Sequence, residues 1–124
     1  MTVWALGINH ETAPLDVRGR FAVSTDLLEP TVRDLRAAID GIAETTLLST
    51  CNRTELYYTA KDSISENLVK ALLIEKGIEA TPEFLNYFKH REDTIDSLRH
   101  LFEVATGLQS KVVGDLQIPN QIKK

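Results

Sequence analysis

A chain of 124 residues with 43% hydrophobic and 26% charged residues has the composition of an ordinary globular domain and the length for one core, which excludes disorder. Its formal net charge of −4 excludes a module that grips nucleic acid chiefly through phosphates, though not one with a local basic patch. A single cysteine excludes a disulfide framework and a Cys-rich zinc site and fits a reducing, cytoplasmic setting. The N-terminus lacks a basic n-region, and no apolar run approaches the length of a membrane span.

In chain order, Val3 to Ile8 is a short apolar run that predicts a buried strand, ended by Asn9-His10 and Pro14. Pro14 to Phe21 predicts one or two helical turns. A longer helix is expected from Asp26, with Glu29 completing a capping box, and Leu28, Val32, Leu35 and Ile39 fall on one face of it before Gly41. Thr45–Thr50 and Glu55–Ala60 read as two strands of a hairpin around Cys51-Asn52, with Asn at a position that tolerates unusual backbone angles. Ser63 and Glu66 suggest a second capping box, opening a helix with Ile64, Leu68, Leu72 and Leu73 on its apolar face and Gly77 as its stop. Phe84 to Lys89 is read as a strand because it completes a β-α-β-β-α-β order. A last helix is expected from about Glu92 to Gly107, with Ile95, Leu98, Leu101, Phe102 and Ala105 as its buried stripe.

These elements predict an α+β fold: a ferredoxin-like β-α-β-β-α-β antiparallel sheet, with both helices on one face and an additional C-terminal helical segment. Residues 108–124 read as a loop leading into a helix. The ending at Ile122-Lys123-Lys124, without cap or breaker, is expected of a piece of a larger protein. Fold alone does not choose among enzymes, RNA binders and regulatory modules.

Chemistry enters at Cys51, the only thiol, in the polar connection Ser49-Thr50-Cys51-Asn52-Arg53-Thr54-Glu55. A nearby guanidinium favours the nucleophilic thiolate, although a free cysteine also serves as a small packing residue. Arg53 can pair bidentately with a carboxylate or stay a solvated turn arginine. Thr50 and Asn52 offer hydrogen bonds beside the thiol or simply shape the turn. At about 100° per residue, His100 points away from the apolar stripe of the last helix, as a surface residue or one facing a cleft, not a packed core histidine. His10 reads as a turn residue and His90 as a strand-end surface residue. Gln109, Ser110, Asp115, Gln117, Asn120 and Gln121 form a polar set that suits either a small polar ligand or a plain surface loop. Gly107 and Gly114 do not match a phosphate loop or dinucleotide fingerprint, and no metal-ligand spacing occurs.

Three segments in order resemble the glutamyl-tRNA reductase family. They are Gly7-Ile8-Asn9-His10-Glu11-Thr12-Ala13-Pro14, Ser49-Thr50-Cys51-Asn52-Arg53-Thr54-Glu55-Leu56-Tyr57, and Arg99 to Leu108 followed by Ser110 and Gly114-Asp115-Leu116-Gln117-Ile118. The resemblance covers the whole chain. It implies an enzyme that reduces the activated α-carboxyl of glutamate on its tRNA to glutamate-1-semialdehyde with NADPH, the first step of the C5 route to 5-aminolevulinate and tetrapyrroles. By that resemblance Cys51 attacks the aminoacyl ester to form a thioester, and His100 assists proton transfer or positions the ester. Arg53 binds the glutamate carboxylate, and Thr50, Asn52, Ser110, Asp115, Leu116, Gln117 and Gln121 line the substrate pocket.

Residues 1–124 would then be the N-terminal catalytic domain of a longer enzyme, with NADPH bound by a downstream domain and no metal. Its implied partners are glutamyl-tRNA(Glu), glutamate-1-semialdehyde aminomutase and a second copy joined through a C-terminal domain. The chain departs from the family pattern at Gly19, Gln109, Asp115, Leu116, Pro119 and Asn120, which touches the roles of residues 115–120 and leaves Cys51, Arg53 and His100 in place. Two other classes remain: a non-catalytic ferredoxin-like module binding RNA or an amino acid, hinted at by Tyr57-Tyr58, and a thioester-forming hydrolase without a reductive step.

Overall fold

The computed structural model describes residues 2–50 and 52–106. Cys51 and the segment carrying Ser110, Asp115, Leu116, Gln117 and Gln121 lie outside the described residues. Strand β1 (Thr2–Asn9) is followed by helix α1 (Leu15–Phe21), a short 3-10 turn (Thr25–Leu27) and helix α2 (Leu28–Ala38). Strands β2 (Thr45–Ser49) and β3 (Arg53–Ala60) form the hairpin, and helices α3 (Ser65–Glu75) and α4 (Pro82–Asn86) lead to strand β4 (Lys89–Arg91) and helix α5 (Thr94–Ala105). The sheet order is β2-β3-β1-β4 with every pairing antiparallel, the arrangement expected of a ferredoxin-like sheet.

Side chains alternate across the sheet, so each strand feeds two cores. Leu6, Ile8, Leu47, Leu56, Tyr58 and Ala60 face α1, α2 and α3, where Phe21, Leu28, Leu35, Leu68, Leu72 and Leu73 complete the main core. Tyr58 ties this layer together: its hydroxyl lies 2.6 Å from Ser65 Oγ and accepts the Ile64 N–H at 3.0 Å. The opposite face carries Ala5, Leu48 and Tyr57 and is covered by α5 through Val104 and Leu101.

Several local expectations are corrected. Phe84–Lys89 is not a strand: Thr81 caps a short helix with Pro82 at its start, its hydroxyl accepting the Phe84 N–H, and only Lys89–Arg91 joins the sheet. Neither expected capping box forms, because α2 begins at Leu28 after the 3-10 turn and the α3 cap position falls on Ile64. Gly41 and Gly77 do take positive φ where α2 and α3 end.

The burial of α5 is also turned from the expected face. Ser97, His100 and Val104 are buried, while Ile95 and Phe102 are 65% and 66% exposed. The sheet face that α5 covers bears Arg53, Glu55 and Tyr57 beside its apolar residues. A polar-faced helix matches it better than an apolar stripe does.

Candidate active site

The site is built from the period-2 alternation of β3, which sends Arg53, Glu55 and Tyr57 to the same face. Across the ladder these residues oppose Asn9, Gly7 and Ala5 of β1, whose other neighbour β4 places Lys89 beside Gly7 and Arg91 beside Ala5. Gly7 is required by this row. A Cβ there would lie 2.7 Å from Glu55 Cγ and 2.8 Å from the Thr54 carbonyl oxygen. The missing side chain is the space over which the Glu55 side chain lies.

Helix α5 is fixed over this face at its start. Arg91 Nη1 donates to both carboxylate oxygens of Asp96 at 3.1 Å, Thr94 Oγ1 accepts the Val3 N–H at 3.0 Å, and Asp93 caps the helix through the Asp96 N–H. One turn further on, Ser97 and then His100 point into the layer. His100 Nε2 lies 2.6 Å from Glu55 Oε2. The other carboxylate oxygen, Oε1, accepts the Tyr57 hydroxyl at 3.2 Å and lies 3.7 Å from Arg53 Nη1. The Tyr57 and His100 rings stack with centroids 6.4 Å apart.

All four side chains are buried: Arg53 is 1%, Tyr57 3%, His100 4% and Glu55 5% exposed. Buried ionisable groups persist when they are paired, and the Glu55 carboxylate is the shared partner here: it accepts the Tyr57 hydroxyl, meets His100 Nε2 and faces the Arg53 guanidinium as an ion pair. Burial above all, then the Glu55 charge and the hydrogen bond to it, push the Tyr57 phenol far above its ordinary pKa, so it remains a donor. Ala5, Leu6, Gly7, Asn9, Lys89 and Arg91 close a small cavity of about 10 Å³ against Glu55, Tyr57 and His100.

The residues expected to act together are only partly described. Thr50 and Asn52 flank position 51 at the β2–β3 connection, where the Thr50 N–H donates to the Arg53 carbonyl at 2.8 Å and the Asn52 N–H donates to Thr50 Oγ1 at 3.2 Å. Asn52 is 7% exposed, and its Nδ2 has no hydrogen-bond partner among the described residues. Arg53 is not the solvated turn arginine that was one of its two readings. His100 is corrected more sharply: it is a packed histidine, turned into the layer and not onto a surface or open cleft. Sequence reasoning gives Glu55 no role and Tyr57 only a stacking one in the RNA-binding alternative, although the spacing Arg53-x-Glu55-x-Tyr57 on a strand signals that they share a face. His10 is a partly exposed turn residue 3.9 Å from Glu11 Oε1, and His90 is exposed on β4. No group of three His, Cys, Asp or Glu residues among those described could hold a metal ion.

The family described as "Glutamyl-tRNAGlu reductase, N-terminal domain" matches residues 6–124. A glutamyl-tRNA reductase of Polaromonas naphthalenivorans is 46% identical over 123 residues, which is 99% of this chain and 28% of that protein. A relative of the same name from Xanthomonas campestris pv. phaseoli is 42% identical over 99% of this chain and 27% of its own length. The solved structure of glutamyl-tRNA reductase from Methanopyrus kandleri superposes with a TM-score of 0.66 at 24% identity, over 98% of this chain and 26% of that one. At that identity the superposition bears on the fold alone. The chain thus spans little more than a quarter of the curated relatives it matches. The family match over nearly the whole chain shows that it belongs to the glutamyl-tRNA reductase family, as the N-terminal domain.

Proposed function

We propose that this chain is the glutamyl-accepting catalytic domain of a glutamyl-tRNA reductase, with Cys51 as the nucleophile. In this reading the Cys51 thiolate attacks the ester carbonyl of glutamyl-tRNA(Glu), the C–O bond breaks, and the tRNA leaves as its free alcohol. The glutamyl group stays on sulfur as a thioester. Arg53 pairs with the side-chain carboxylate of the glutamyl group, Thr50 and Asn52 hydrogen-bond around the ester, and His100 exchanges the proton with thiol or leaving group. Ser110, Asp115, Leu116, Gln117 and Gln121 complete the pocket. The observation that carries the reading is the buried Arg53–Glu55–His100 network beside the β2–β3 connection, in a chain of this family.

Hydride to reduce the thioester to glutamate-1-semialdehyde would come from NADPH. The described residues do not fit that cofactor. The sheet is antiparallel throughout, and the β1–α1 turn runs through Asn9-His10-Glu11-Thr12-Ala13-Pro14 instead of the glycine-rich turn that seats a pyrophosphate. We assign the cofactor to the part of the relatives beyond this domain, as with dimer formation. Glutamate-1-semialdehyde is an aldehyde suited to direct hand-over, which supports an aminomutase as the partner, and a single cysteine supports a cytoplasmic setting. No helix among the described residues is long and apolar enough to cross a membrane.

Deacylation of glutamyl-tRNA tests the proposal. The chain should release free tRNA faster than buffer and discriminate against glutaminyl-tRNA, and Cys51→Ser should abolish the excess rate. An excess rate that survives Cys51→Ser would point to a binding or hydrolytic module of another kind.

A further inference from the structure

The two carboxylate oxygens of Glu55 do different work. Oε1 faces the Tyr57 hydroxyl at 3.2 Å and Arg53 Nη1 at 3.7 Å, whereas Oε2 faces His100 Nε2 at 2.6 Å. A carboxylate accepts and does not donate, so the histidine nitrogen against it must carry a proton. His100 Nδ1 is buried and has no hydrogen-bond partner among the described residues. One ring nitrogen is therefore held by the protein and the other is left over.

We infer that Glu55 is the positioning residue of the site: it holds a proton permanently on His100 Nε2, so that Nδ1 is the nitrogen through which His100 exchanges protons. This rests on the proposed function for what the exchanged proton does, but not for where it sits. The logic is that of an acid that fixes the tautomer and orientation of a catalytic imidazole without itself being protonated. The surroundings support it. Tyr57 stacks on the imidazole and donates to the same carboxylate, which fixes the ring plane and the carboxylate together. Lys89 and Arg91 of β4 line the same small cavity, and with Arg53, Glu55 and Tyr57 of β3 they are the charged and titratable groups that face His100 from the sheet among the described residues. The Gly7 opening that admits the Glu55 side chain is then a feature of the site as well as of the sheet.

The experiment is a titration of the imidazole nitrogens of His100 by two-dimensional ¹⁵N NMR on the intact chain, with Glu55→Gln as comparison. In the wild type Nε2 should stay within the range of a protonated nitrogen throughout, shifting only slightly, and the Nδ1 resonance should make the large excursion between the protonated and unprotonated ranges. In Glu55→Gln the amide oxygen is drawn to the Tyr57 hydroxyl and the Arg53 charge at the Oε1 position, which places its NH2 against Nε2. A neutral ring must then accept there, and its proton moves to Nδ1. Glutamyl-tRNA deacylation should fall by about 10²-fold with the wrong tautomer, with the thermal midpoint little changed because the swap is isosteric.

A neutral wild-type His100 protonated on Nδ1, or an Nε2 resonance that crosses into the unprotonated range as pH rises, overturns the inference even if the Gln variant does not fold. So does a Glu55→Gln chain that keeps both its tautomer and its rate. A wild type that shows the Nε2 proton but no deacylation would sink the proposed function and leave the positioning role of Glu55 standing.

Discussion

Gly7 and Glu55 face each other across the β1–β3 ladder, and Glu55 can lie flat over β1 only because Gly7 has no side chain. Substituting Gly7→Ala puts a methyl group 2.7 Å from Glu55 Cγ and 2.8 Å from a backbone oxygen. The strands must then part or the carboxylate must move, so the chain should lose about 1–3 kcal/mol in urea denaturation. Gly19→Ala is the control. Nothing lies within 4 Å of its added Cβ, and it sits inside α1, so it should stabilise by about 0.5–1 kcal/mol.

Truncating the shared acceptor should be costly. Glu55→Ala leaves the Tyr57 hydroxyl and the His100 Nε2 proton buried without their acceptor. A loss of about 2–5 kcal/mol is expected from unfolding midpoints.

Tyr57 gives the pH dependence. Its folded pKa is raised by burial first and by Glu55 next, while an unfolded tyrosine titrates near about pH 10. The folded state therefore binds the phenolic proton more tightly than the unfolded state does. The stability this contributes is complete below about pH 10 and is lost as pH rises past it. The unfolding free energy should fall less between about pH 8 and about pH 11 in Tyr57→Phe than in the wild type.

The two faces of α5 make a contrasting pair. Val104 is fully buried between α5 and the sheet, and Val104→Ala should cost about 2 kcal/mol. Phe102 is 66% exposed, and Phe102→Ser should change the stability of this chain by less than about 0.5 kcal/mol. Equal losses at both positions would contradict the orientation of the helix.

That orientation shows where sequence reading stopped. Strands β1, β2 and β3 and helices α2 and α3 were legible because their burial follows apolar periodicity: Ile8, Leu56, Leu35 and Leu68 are where the pattern puts them. On α5 the pattern pointed to Ile95 and Phe102, but the helix packs on a sheet face that carries Arg53, Glu55 and Tyr57. The match there is by hydrogen bonds, which leave no hydrophobic signature. Phe84 to Phe88 misled for a related reason, since a short apolar run fits strand and helix equally and only the Thr81-Pro82 cap separates them. At the site, Arg53 and His100 were legible as candidates. The link between Arg53 and His100 was not, because the α5–sheet contact that makes it joins residues 45 positions apart.

In the proposed function Cys51 takes the glutamyl group. Mass spectrometry of the chain quenched in acid after incubation with glutamyl-tRNA tests it most directly. The account predicts a hydroxylamine-labile adduct of one glutamyl residue that maps to Cys51, is lost in Cys51→Ser and is reduced at least about tenfold in Arg53→Ala. A chain that consumes glutamyl-tRNA with Cys51 unmodified at every quench time, or an adduct on another residue, would contradict it.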